Sequence, residues 1–328
     1  MSPIQSEKVV GIAKENVFGT FVAPTSKYIP CVPQVRGNMK NTRPDQARGY
    51  RGQVVDVNTG YELDITLTGE LIPDVWSTLL AGCFGSGSDA FSSAGGAATH
   101  SLTPQPQCPS YSIEEDTDVI PGEQVLARQL VGCISDQFQL KATNQSLAQV
   151  TSSLIGQREI TPTTPGVPSN LAPSFFTTIE PFDYSLLAFS YKGSSSTQLL
   201  DLTLALMNHT VRVFSSNGKL YAARLVPTKR EVTLTTLLDF LDTNFYSDWF
   251  NGVKTSGIIV SMTSASNIPT TAIPYSWTFT IPGLRPMGEY SPAAASDVIQ
   301  QNLTWSATVS GANEISAVIV NDEAGSLA

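Results

Sequence analysis

The residues able to do chemistry are few and poorly grouped. The chain has two histidines, His100 and His209. A serine hydrolase needs a nucleophile on a sharp strand-to-helix turn and a histidine to orient it. No G-x-S-x-G is present, and Gly85-Ser86-Gly87-Ser88-Asp89 falls in a Gly/Ser/Ala-rich stretch. His100 reads as a polar residue at a strand start, and His209 as a surface residue at a strand end. The four cysteines, Cys31, Cys83, Cys108 and Cys133, show no C-x-x-C spacing. Zinc sites use paired thiolates or imidazoles close in sequence, so these read as free, buried thiols. Glu114, Glu115, Asp116 and Asp118 form the one acidic cluster. Paired carboxylates can serve a glycosidase or ligate calcium, but EF-hand spacing and its turn glycine are missing. The simpler reading is a solvated turn or an acidic surface patch. No phosphate-binding glycine pattern occurs. The expectation is no enzyme, no cofactor and no metal.

What surrounds these residues says more. A chain of 328 residues suggests about two domains, at roughly 100–200 residues each. Hydrophobic residues make up 41% and charged residues 14%, which excludes a disordered or coiled-coil chain. The net charge of −9 excludes a basic nucleic-acid-binding footprint. The N-terminus lacks an apolar signal stretch and no run of 18 apolar residues exists. The expectation is therefore a chain made in a cytoplasm, with no membrane partner.

Period-two alternation dominates. Leu200, Leu202, Leu204 and Leu206 give its clearest run. Tyr61–Leu67, Val232–Leu234, Tyr275–Ile281 and Leu303–Trp305 give others. Two segments read as short helices, 73–81 and 237–249. Trp76, Trp249, Trp277 and Trp305 read as core residues. Gly82–Ala98 reads as a mobile loop. Residues 161–181 hold five prolines, which stiffen a segment into a spacer. This divides the chain into a β module at 1–160 with an N-terminal arm, a linker at 161–181 and a β module at 182–328. The halves overlay with a shift of 167, placing Ile65–Thr68 on Val232–Thr235, Asn41 on Asn208, Val35 on Leu202 and Met39 on Leu206. Trp76 and Trp249 match only with a gap. The expected fold is mainly β: two tandem barrel or sandwich modules, each with a short α-helix.

Four motifs recur in order along the chain. They are Lys14-Glu15-Asn16-Val17-Phe18-Gly19-Thr20-Phe21-Val22-Ala23-Pro24-Thr25, and Gly60–Asp74 running into Leu79–Gly85. The others are Lys229–Leu234 after Met207-Asn208, and Phe279-Thr280-Ile281-Pro282-Gly283-Leu284. Together they resemble the tail tube (major tail) proteins of long-tailed phages, non-contractile ones in particular, over roughly residues 10–310. The resemblance implies a structural virion protein, found in the tail and made in the host bacterial cytoplasm. Its subunits close into rings, and rings stack into a hollow conduit for DNA ejection. The partner of such a subunit is itself, with tail terminator, tape measure and distal tail proteins at the tube's ends and core. A duplicated chain needs three copies where single-module members need six, so a pseudo-sixfold trimer is preferred and a hexamer is the alternative. DNA would pass without being held. An acidic wall repels phosphates, where lysine and arginine would trap them. On this reading Glu114, Glu115, Asp116 and Asp118 become a candidate lumen patch. The stretch 41–52 holds Arg43, Asp45, Arg48, Tyr50 and Arg51, between strands expected at 28–40 and 54–68. Arginine forks and tyrosine suit interfaces, and the resemblance implies that this loop contacts the neighbouring ring or subunit. The rivals are another ring-forming tail component (terminator, baseplate protein or contractile-tail inner tube) and a carbohydrate-binding β-sandwich or adhesin.

Overall fold

The computed structural model describes residues 8–24, 27–42, 56–120, 124–160, 180–216, 218–239, 244–295, 298–309 and 313–327. Alternation becomes strand. The first half runs β1 (Lys8–Lys14), β2 (Tyr28–Ile29), β3 (Val32–Thr42), β4 (Val57–Glu70), α1 (Ser77–Phe84), β5 (Asp89–Ala94), β6 (Ala97–Leu102), β7 (Ser110–Ile120), β8 (Gln124–Thr143), β9 (Gln149–Gly156) and β10 (Arg158–Ile160). The second runs β11 (Leu187–Tyr191), β12 (Ser194–Ser196), β13 (Leu199–Met207), β14 (Val211–Val213), β15 (Arg224–Val226), β16 (Glu231–Asp239), α2 (Asn244–Phe250), β17 (Thr255–Asn267), β18 (Pro274–Ala295), β19 (Val298–Ala307) and β20 (Ser316–Asn321). The protein is mainly β, with two short α-helices among the described residues and antiparallel pairing throughout. Leu63, Ile65 and Leu67 of β4 face the core, as do Leu202, Leu204 and Leu206 of β13.

Five strand pairings of the first half return in the second, in the same order along the chain. β1–β7 corresponds to β11–β17, and β3–β4 to β13–β16. β4–β9 corresponds to β16–β19, β7–β8 to β17–β18, and β8–β9 to β18–β19. Each half also places its helix after the second strand of the β3–β4 or β13–β16 pair. The tryptophans do not correspond: Trp76 precedes α1 and Trp249 lies inside α2. The hairpin β5–β6 has no counterpart in the second half among the described residues.

The halves are sewn together. The C-terminal part of the 20-residue β8 pairs with β9 on one edge and with β13 on the other, from Gln137↔Met207 to Thr143↔Asp201. β20 lies between β18 and β6, the latter through Leu102↔Ala317 to Ala98↔Asn321. One apolar core takes in Trp76, Leu80 and Phe138 of the first half with Leu204, Trp277 and Trp305 of the second. The Trp277 indole N–H donates to the Pro73 carbonyl across this boundary, at 3.0 Å.

Three expectations are corrected. Gly82–Ala98 is not an open loop: it closes α1 and then forms the β5–β6 hairpin around Gly95-Gly96, both at positive φ. Glycine supplies that backbone without strain, and its small neighbours hid the strand pattern. Of the helix expected over 237–249, residues 237–239 are strand instead, and α2 is described from Asn244. Val232, Leu234, Thr236 and Leu238 continue the period-two burial of β16, which outweighs the helical spacing of the leucines. The strand expected over 28–40 is interrupted at Pro30-Cys31 and resumes as β3. Trp76, Trp277 and Trp305 are fully buried, whereas Trp249 is only partly covered.

Candidate assembly interface

The predicted inter-ring loop, with Arg43, Asp45, Arg48, Tyr50 and Arg51, lies outside the described residues. Its two stems are β3 and β4, paired antiparallel up to Thr42↔Val57. The acidic cluster is placed in mid-strand rather than on a turn. Glu114, Glu115 and Asp116 lie in β7 between β1 and β8 and are all buried. Asp118 is on the same strand, and its side chain is outside the described residues. Arg128 neutralises part of this charge: it donates to Glu115 at 3.3 Å and, as a fork, to both oxygens of Glu159 at 3.0 and 2.9 Å. A second guanidinium bond reaches the Val35 carbonyl on β3, at 3.4 Å. Burial, followed by the charges of Glu114 and Asp116, raises the Tyr28 phenol. All three carboxylates are buried in the single chain, on alternate faces of β7.

Three polar centres organise the fold, and the first two fall within motifs that the sequence singled out. The first is Glu15. Its buried carboxylate accepts from the Gly19 N–H and the Ser110 hydroxyl at 2.8 Å each, the Ser112 hydroxyl at 3.0 Å and the Gly132 N–H at 2.8 Å. The K-E-x-x-x-G-T spacing thus folds the chain back on a carboxylate. Gly19 is required at φ 74°, where a Cβ would also meet the Gln157 side chain at 2.3 Å.

The second centre joins the halves. Asn208, just past β13, donates its amide to the Cys83 and Ser135 carbonyls at 3.0 Å each. Arg230, just before β16, donates to the Phe84 carbonyl at 2.9 Å, to the Gln105 carbonyl at 2.8 Å and to Asn208 Oδ1 at 3.3 Å. Cys83 and Phe84 end α1, so the second half caps the first half's helix with a cation at the negative end of its dipole. All eight α1 residues are buried. The sequence signal was present in Met207-Asn208 and Lys229–Leu234, but nothing in it named the helix as their target.

The third centre holds the C-terminal segment. Buried His100 bridges Asp89, at 2.9 Å, to Asn321 Oδ1 and the Glu323 carbonyl, at 3.1 Å each. Glu323 accepts from the Ser77 hydroxyl at 2.6 Å and pairs with Lys27. Asp74, buried beside them, has its carboxyl pushed up to about 8, by burial first and then by Asp322 and Glu323. All four cysteines are free thiols. Burial lifts Cys31 and Cys83 to about 12 and Cys108 to about 11, which makes them poor nucleophiles. Among the described residues no cluster of His, Cys, Asp and Glu could hold a metal ion, and no helix is long and apolar enough to cross a membrane.

Against this closed interior stand two open strand edges and one open helix. Among the described residues β3 pairs only with β4 over Val32–Thr42, with Arg128 on the Val35 carbonyl, and β18 pairs only with β19 over Arg285–Ala295, with the Trp249 indole on the Gly288 carbonyl. The second helix exposes Phe250 (69%) and Tyr246 (38%). Tyr246 and Trp249 pack on Tyr290 of β18, with ring centroids 4.9 and 5.3 Å away. Unpaired edges and exposed aromatic rings are the features that assembly covers. No curated protein matches the chain. A family model described as phage tail tube protein matches residues 5–307.

Proposed function

Because the chain belongs to the phage tail tube protein family, and so is a structural subunit of the virion tail, we propose that three copies close a pseudo-sixfold ring and that such rings stack into the tube. The supporting observation is the repeat of five strand pairings between the halves, which makes one chain the equivalent of two modules: 1–160 and 182–328, with 161–181 as the linker. Three chains then supply six modules.

The subunit is made in the host bacterial cytoplasm, and the tube meets tail terminator, tape measure and distal tail proteins. Its role in ejection is passive conduction. Three chains at −9 each carry about −27, and a wall of that sign keeps DNA sliding. The loop bearing Arg43, Asp45, Arg48, Tyr50 and Arg51 reaches the adjacent ring and pairs with carboxylates there.

Electron microscopy of the purified chain across a concentration series tests this reading. Hollow stacks whose end views average to three chains without imposed symmetry are expected. Six chains per ring would overturn the trimer. Closed small oligomers at every concentration would favour another ring-forming tail component.

A further inference from the structure

We propose that the contact between copies repeats the junction that already joins the two halves. The open edge of β3 in one copy adds to the open stretch of β18, Arg285–Ala295, in its neighbour, and the neighbour's α2 is covered by the same contact. This rests on the tube-subunit reading above.

The repeat supplies the correspondence. β13 stands to the second half as β3 does to the first, and β18 stands as β8 does. In the chain, β13 is paired on both edges, with β16 and with β8. β3 is paired on one, with β4. The C-terminal part of β8 is likewise paired on both edges, with β9 and β13, while the corresponding part of β18 has only β19. Among the described residues each half of the existing junction therefore has a copy with no strand on its second edge. These two copies are complementary to each other rather than to themselves. Main-chain pairing needs no particular side chains, so a junction that works once can work again with a divergent sequence.

The helices agree. Residues just past β13 and before β16 hold the last carbonyls of α1, and α1 is buried throughout. Among the described residues the corresponding helix α2 has no such cap. It presents Tyr246 and Phe250 beside Tyr290, on the same strand as the open edge. A β3 edge docked on β18 would bring the neighbour's β3–β4 stems over this face. The contact is head-to-tail, joining different surfaces of two copies, which yields a ring if the rotation closes.

The test uses the full chain with benzoylphenylalanine at Met287, which is half exposed on the open stretch of β18. Unlabelled and 15N-labelled chains are mixed, allowed to assemble, irradiated and digested. The expected product links Met287 of one copy to a peptide within residues 27–42 of another. The reciprocal probe at Gln34 should capture residues 285–295. Tyr246→Ser with Phe250→Ser should leave the dilute chain folded, with a cooperative thermal transition, and weaken ring formation at least tenfold. Rings or tubes whose links run from β18 to β18, or to other segments, would overturn the inference and leave the tube reading standing. Unaltered ring formation by the double variant would overturn the covering of α2. Absence of both links and rings at every concentration would overturn the inference and the trimeric ring together.

Discussion

The two α-helices occupy corresponding places in their halves and live in opposite surroundings. The first is buried along its whole length, with its last carbonyls held by Asn208 and Arg230 of the other half. The second buries Phe245 and Asp248 and leaves Tyr246 and Phe250 open. Its buried Asp248 is satisfied locally, by the Tyr191 hydroxyl and by Lys192. Burial is thus not a property of the helix sequence alone. Both segments carry aromatic or aliphatic side chains, and among the described residues only α1 has all of its own buried.

Four changes break or sharpen that contrast. Leu80→Ala, inside α1, should destabilise the chain most, by about 2–5 kcal/mol, since a buried leucine leaves a cavity as well as losing transfer energy. Denaturant unfolding measures it, and a loss under 1 kcal/mol would deny that α1 is core. Arg230→Met keeps the packing but removes the cap. The Gln105 carbonyl and Asn208 Oδ1 lose a donor, and about 2–3 kcal/mol is expected for hydrogen bonds to a charged group. A native thermal midpoint in this variant would mean that the cap is ornamental.

Asp74 probes the approach to α1 by its pH dependence. Its folded-state carboxyl is raised to about 8 by burial, then by Asp322 and Glu323, against about 4 in an unfolded chain. Between these values the folded state holds a proton that the unfolded state releases. Its stabilisation is therefore full below about pH 4 and is lost as the pH rises toward about 8. Asp74→Asn should flatten this slope in a series of thermal midpoints, and an unchanged slope would assign it to another group. Phe250→Ser is the smallest change for the isolated chain. At an exposed site it should shift stability by no more than about 0.5 kcal/mol, and a larger loss would show that α2 already belongs to the core.

Much of this arrangement is legible in the residues. The leucines of β13 and the Tyr275–Ile281 run alternate because one face of each strand meets the core. The offset that carries Ile65 of β4 to Val232 of β16 also carries Val35 of β3 to Leu202 of β13, so the repeat is written in the positions of its strands. The β5–β6 hairpin escaped notice because Ser, Ala and Gly carry too little apolar contrast to alternate. The extent of β16 was obscured because its leucines fit two periods at once. The burial of Glu114, Glu115 and Asp116 follows from β1 and β8 flanking one strand, which no local pattern announces. Glu15, Asn208 and Arg230 stood in plain view inside motifs, but their partners are up to 146 positions away along the chain.

β20 has a consequence in time rather than in space. It fits between β18 and β6, pairing Ile319 with His100, more than 200 residues earlier in synthesis. Chains emerge N-terminus first and long-range pairings form slowly. The sheet of the first half therefore stays incomplete until Asn321 has been translated. Chains interrupted before that point lack the strand that would let them enter the polymer as native units.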